Sequence, residues 1–212
     1  MTLRLNGSNS GFTEVKAPAT AGSNTITLPT SNGSANQYLK NGSTAGTLEF
    51  GTLPAVGKIL NVVTTTNTDE FQNNNTSYAD LFTVAITPSA STSKILICAT
   101  LSISKENNHG ALARLVRKIG TGSFAAFGGG AATETNHEDN VWWNIRNTIY
   151  SVAPYTVVYL DSPNTTDQVT YKAQIKSTSS SYNYGVNHTV FNGNNLYESP
   201  TMSTITVLEV GA

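Results

Sequence analysis

"KILICATLSIS", Lys94 to Ser104, alternates without a break: Ile95, Ile97, Ala99, Leu101 and Ile103 fall on one face of an extended chain. A second run, "VTYKAQIK", sharpens the pattern by setting Val169, Tyr171, Ala173 and Ile175 against Thr170, Lys172, Gln174 and Lys176. A helix would need apolar groups at i, i+3, i+4 and i+7. No window longer than about ten residues supplies them free of glycine or β-branched interruption. Strands are therefore expected in these runs. They are also expected in "KILNVVTTT" from Lys58, "ADLFTVAIT" from Ala79, "ALARLVRKIG" from Ala111, "NVWWNIRN" from Asn140, "YTVVYLD" from Tyr155 and "STITVLEV" from Ser203. Turn clusters such as "TPSASTSK", "KENNHG" and "DSPNTTDQ" separate several of them. About eight strands in about 155 residues predict an all-β protein with a two-sheet, jelly-roll-like sandwich.

Composition agrees. Charged residues are 12% of the 212, about half the usual share, and their place is taken by Asn, Thr, Ser and Gly, which suit turns and extended chain. A net charge of −1 with scattered basic residues lacks the footprint of a nucleic-acid or anionic-membrane binder. No run approaches the roughly 18 apolar residues of a membrane span, and the opening "MTLRLNGSNSG" has no basic start followed by an apolar stretch. The expectation is a product assembled in the cytoplasm, with no membrane insertion. The single cysteine, Cys98, excludes an intrachain disulfide and reads as a small core residue.

The terminal strand "ITVLEV" is apolar on both faces, with Ile205 and Val207 on one side and Leu208 and Val210 on the other. Such a strand needs cover from outside its own sandwich, and a neighbouring subunit is the economical source. Apolar content changes from sparse to dense at "GTLPAVGK", which places a boundary between an N-terminal segment, 1–57, and the head, 58–212. Upstream lie short fragments, "MTLRL", "NTITLP", "QYLK" and "TLEF", between glycine-rich turns. Their apolar side chains, at about 2 kcal/mol each when buried, are too few to offset an ordering cost of about 1 kcal/mol or more per residue. The segment is therefore expected to intertwine with copies of itself or to dock on a partner through Phe12, Val15, Ile26, Leu28, Tyr38, Leu39, Leu48 and Phe50.

The run from Leu5 to Gly51, with its kernel "APATAGSNTITLPTSNG" at Ala17 to Gly33, resembles a segment of tail-fibre and related virion proteins of marine and cyanobacterial bacteriophages. "ITPSASTSKILICATLSIS", "YLDSPNTTDQVTYKAQI" and "STITVLEV" resemble their C-terminal domains. The resemblance implies a virion structural protein assembled in the host cytoplasm. It implies a homotrimer with a short intertwined N-terminal β segment, which contacts other virion proteins, and a sandwich head that contributes to host-surface attachment. The head pattern is also similar to the trimeric jelly rolls of the tumour-necrosis-factor kind. No long coiled-coil or repeat shaft is present, which leaves a capsid-decorating or appendage protein as the alternative.

Catalytic constellations are missing. "ETNHEDN" brings His137, Glu138 and Asp139 together, but neighbours on a strand point to opposite faces, so at most two would converge on an ion. His109 and His188 lie in loop-like surroundings without a cysteine partner, and no G-x-S-x-G elbow precedes a helix. Paired carboxylates in a cleft and β-helix repeats, which a glycan-degrading tailspike would show, are not evident. No enzyme activity, cofactor or metal is expected. The basic trio Arg114, Arg117 and Lys118 suits strand-face solvation, an inter-subunit ion pair or an anionic glycan. The best recognition surface is Ser177 to Thr201, where Tyr182, Tyr184, Phe191 and Tyr197 stand among Ser, Asn and Gly. With Trp142 and Trp143 these rings suit contact with a host glycan or protein.

Overall fold

A computed structural model describes residues 3–20, 22–53, 57–107, 109–135, 137–146, 151–191, 193 and 195–211. Two compact units result, Met1–Pro54 and Ala55–Ala212. Among the described residues all regular structure is strand, apart from one 3-10 turn at Leu196–Glu198.

The N-terminal unit holds two hairpins. Strands β1 (Leu3–Asn6) and β2 (Phe12–Val15) pair so that Leu3 meets Val15 and Leu5 meets Thr13 on one face. The opposite face carries Arg4 beside Glu14, at 2.7 Å, with the Arg4 guanidinium 3.8 Å above the Phe12 ring. Strands β3 (Gln37–Asn41) and β4 (Leu48–Thr52) set Leu39 against Phe50 on one face and pair Lys40 with Glu49 at 2.7 Å on the other. The expected strand in "NTITLP" contracts to one bridge, Thr27 to Thr47. Gly46 makes that bridge possible: its φ is +81, and a Cβ there would lie 2.4 Å from the Thr25 carbonyl oxygen. None of the described residues between 3 and 53 is buried.

The second unit is an antiparallel sandwich. Its elements are β5 (Ile59–Asn67), β6 (Phe71–Asn73), β7 (Ala79–Ile86), β8 (Lys94–Lys105), β9 (Ala111–Ile119), β10 (Ala125–Ala126), β11 (Trp143–Ile145), β12 (Ala153–Asp161), β13 (Val169–Ser177), β14 (Tyr184–Val186) and β15 (Ser203–Val210). One sheet runs β5-β15-β8-β12, with β14 and β6 continuing beyond β15 and β5 along the same edge of β8. The other runs β7-β13-β9, with β10 and β11 both on the free edge of β9. The alternation read in "KILICATLSIS" and "VTYKAQIK" becomes the core: Ile95, Ile97, Ala99, Leu101 and Ile103 face Val169, Tyr171, Ala173 and Ile175, all fully buried. Ile205 and Val207 complete the same layer from β15.

Three elements depart from the sequence expectation. "NVWWNIRN" narrows to β11, because only Trp143–Ile145 find a partner in Ala111–Ala113. "FTEV" at Phe12 is a strand of its own, held by the Arg4–Glu14 side of its hairpin. The stretch from Ser177 to Thr201, expected as a recognition surface with no strand of its own among those named, contains β14, whose residues pair with both β8 and β6.

Candidate functional site

The outward face of the β5-β15-β8-β12 sheet is unusual for an antiparallel sheet, whose exposed side is ordinarily polar. Its register gives three rows: Val62, Leu208, Leu96 and Leu160; Thr64, Thr206, Cys98 and Val158; Thr66, Thr204, Thr100 and Thr156. No charge interrupts them. Val62, Val158 and Leu160 are more than half exposed. Thr64 and Thr206 share a hydrogen bond at 3.0 Å, and Thr100 and Thr156 one at 2.9 Å, so these hydroxyls satisfy one another across strands. Cys98, expected in the core, instead sits half-buried in the middle row of this outer face, because alternation turns it away from the fully buried Ile97 and Ala99 on either side.

The outward face of the other sheet is its chemical opposite. Arg114 donates to Gln174 at 2.9 Å and lies 3.8 Å above the Tyr78 ring. Lys172 meets Asp80 at 2.7 Å and Lys176 pairs with Glu138. At the end of this face, beside β11, opens a cleft of about 450 Å³ bordered by Leu112, Val141, Asn144, Arg146, His137 and Thr178. Asn144 and Arg146 point outward because Trp143 and Ile145, one residue off, point into the core.

The residues singled out in the sequence fall in separate places. Trp142 is half-buried in a ring cluster with Phe127 and Tyr159, its indole N–H donating to the Phe127 carbonyl at 3.0 Å. Trp143 is 5% exposed and belongs to the core: small Ala113 opposite leaves room for its ring, so it does not present a surface. Tyr184 is likewise withdrawn, 1% exposed, because β14 pairing turns it inward onto Phe71; burial pushes its hydroxyl up to about 12. Tyr182 is half-buried and stacks on His109 at 5.0 Å. Phe191 is exposed and borders a second cleft, about 580 Å³, with Glu198 and Thr201. The Tyr197 side chain lies outside the described residues. Of the attachment set, Phe12, Val15, Ile26, Leu28, Tyr38, Leu39 and Phe50 are exposed and Leu48 is half-buried.

The remaining candidates resolve into structure. The basic trio splits, with Arg117 turned inward to Asp161 while Arg114 and Lys118 stay on the outer face. His188 is buried and its Nε2–H donates to the Phe71 carbonyl at 3.1 Å. His137 and Glu138 border the cleft, whereas the Asp139 carboxylate accepts the Ala132 N–H at 2.6 Å. Among the described residues no three His, Cys, Asp or Glu side chains gather as metal ligands. Arg146, Asn144 and Thr178 were missed by the sequence reading. The signal was present for two of them, since the alternation of "NVWWNIRN" already sets Asn144 and Arg146 on one side.

No protein-family model matches the chain and no curated protein matches it. Among solved structures, the infectious bursal disease virus Gx strain is similar at 15% identity and a TM-score of 0.37, covering 83% of this chain and 42% of that one. The VP2 subviral particle of infectious bursal disease virus is similar at 14% identity and a TM-score of 0.35 over the same shares of each chain. The T=1 particles derived from that virus give 15% identity and 0.37, covering 77% and 39%. The chain spans about two fifths of the length of these structures.

Proposed function

We propose that the protein is a structural component of a bacteriophage particle. It is a tail-fibre-type homotrimer, assembled in the host cytoplasm, whose N-terminal unit joins other virion proteins and whose sandwich meets the host surface without catalysis or cofactor. The observation that carries this reading is the N-terminal unit, which presents Leu3, Leu5 and Val15 at 58 to 63% exposure and Ile26 and Leu28 at 69%, with none of its described residues buried. Apolar surface left open in this way marks association. In the first hairpin the ion pair of Arg4 with Glu14 sits on the face opposite Leu3, Leu5 and Val15, so the open face is suited to a partner and the charged face to water. The uncharged rows on the head supply a second surface for contact between copies, while the outward face of the other sheet is charged and suits solvent. The kernel at Ala17 to Gly33 supports the virion setting by its resemblance.

Sedimentation of the purified chain tests the reading. The expected mass is three times the 22.5 kDa protomer, and Val158→Arg together with Leu208→Arg, which places charge in the open rows, is expected to lower it. A single-chain mass for the parental protein overturns the trimer. Copy number per particle separates a fibre, present in few copies, from capsid decoration, present in hundreds.

A further inference from the structure

The cleft beside β11 holds one cation without a counter-charge. Glu138 is matched by Lys176, yet Arg146 is exposed and has no ion-pair partner among the described residues. Its stem is guided by Gly110, where a Cβ would stand 3.2 Å from Arg146 Cγ and 2.8 Å from the Ile145 carbonyl oxygen. A side chain at 110 would displace it. Close by, Lys105 is buried and donates to the Asn107 carbonyl at 2.9 Å. Burial, and then the Arg146 charge, hold its ammonium below the usual lysine range. The local field thus favours an anion.

The rest of the lining is not that of a bare anion site. Leu112 and Val141 provide aliphatic surface, and Asn144 brings an exposed amide with both donor and acceptor. Thr178 Oγ1 donates to the Gly110 carbonyl at 2.8 Å, which leaves its oxygen lone pairs directed to accept from a ligand hydroxyl. At about 450 Å³ the cleft is within the size range of small-ligand sites. A guanidinium for a carboxylate, an amide and a hydroxyl oxygen for ring hydroxyls, and an aliphatic wall for C–H groups form a set that fits an acidic sugar.

We infer that this cleft binds a carboxylated sugar unit, of uronic or sialic acid type, with Arg146 on the carboxylate and Asn144 and Thr178 on hydroxyls. The inference deepens the host-contact reading and takes from it only the source of the sugar, a surface polysaccharide. Binding itself is a property of the purified protein.

The test titrates the full chain with a galacturonate trisaccharide, with sialyllactose, with lactose and with inorganic phosphate, followed by calorimetry or chemical-shift changes. At least one acidic saccharide is expected to bind, with lactose and phosphate weaker by at least about tenfold. Arg146→Ala is expected to remove the binding and Arg146→Lys to weaken it, both with an unchanged melting temperature because the side chain is exposed. Asn144→Ala is expected to weaken saccharide binding without altering phosphate. Three results overturn the inference: no acidic saccharide bound up to about 10 mM, equal binding of phosphate, or saccharide binding that survives Arg146→Ala. Any of these leaves the sedimentation and copy-number outcomes untouched, so the two readings fail separately.

Discussion

Arg117 on β9 crosses the sandwich to Asp161 at the end of β12, its Nη1 lying 2.7 and 2.8 Å from the two carboxylate oxygens. The Tyr171 hydroxyl donates to the same carboxylate at 2.7 Å and the Ser162 N–H at 2.9 Å, so Asp161 ties one sheet to both central strands of the other. Removing one member of such a pair strands the rest. Asp161→Ala is expected to cost about 3 kcal/mol, since Asp161 is 6% exposed and its Arg117 and Tyr171 donors would be left unmatched. Arg117→Met, which replaces the cation by an apolar chain of similar length, is expected to cost less when combined with Asp161→Leu than alone. A double-mutant cycle by urea unfolding checks this, and additivity of the two changes would remove the clamp from the account.

Asn187 directly follows β14 at φ +63, in the left-handed region, and is fully buried. Its amide donates to the Asn67 carbonyl at 3.0 Å and to Asn67 Oδ1 at 2.8 Å, and its oxygen accepts from Ser203 Oγ at 2.6 Å. Two effects follow from one substitution. Asn187→Gly loses the bonds but keeps the backbone relaxed, whereas Asn187→Ala loses the bonds and adds about 1 kcal/mol of backbone strain. The expected order of melting temperatures is parental, then Gly, then Ala. An alanine variant as stable as the glycine variant would show that the strain is relieved elsewhere.

Glu209 lies on the inward side of β15, 2% exposed, and accepts both the N–H and the hydroxyl of Ser89 at 2.6 Å. Burial works against its charge, but the two Ser89 hydrogen bonds prevail and hold the carboxyl below its usual 4.5. A carboxyl depressed on folding contributes stability above its unfolded pKa, and that contribution is lost as pH falls through the folded value. Parental stability is therefore expected to decline as pH drops below about 4.5. Glu209→Gln should begin about 1–2 kcal/mol lower at pH 7 and converge on the parental curve in acid. Parallel curves from pH 7 to 3 would assign the acid sensitivity to other carboxylates.

How far the sequence carried depended on whether the deciding contact was local. The inward rows of β8 and β13 were legible because alternation is a property of neighbouring residues. Trp143 and Tyr184 were not, since aromatic side chains amid Asn, Ser and Gly look alike whether they cover a surface or enter a core. Their burial follows from partners distant in the chain, Ala113 for Trp143 and Lys105 for Tyr184. Arg117 illustrates the same limit: alternation sets it on the side of Ala113 and Leu115, but an inward arginine makes sense only once Asp161, 44 residues on, is known. The Arg146 cleft was equally hidden, because it is closed by Thr178 from beyond β13 and by His137 from a loop before β11.

The N-terminal hairpin gives the most direct test of assembly. Leu5 and Val15 share one face of β1 and β2, more than half exposed, and Arg4 occupies the other with Glu14. A glutamate at either apolar position costs the hairpin itself little, within about 0.5 kcal/mol, because both side chains are more than half exposed and lose only a surface cross-strand contact, Leu5 with Thr13 or Val15 with Leu3. It would instead desolvate a charge at any contact made by that face. Leu5→Glu and Val15→Glu are each expected to leave head melting unchanged, to lower the sedimented mass and to make the N-terminal unit sensitive to protease. Arg4→Ala, on the opposite face, is expected to leave the mass intact. If all three variants sediment alike, the apolar face of this hairpin is not what joins the copies, and the association must run through the open rows of the head.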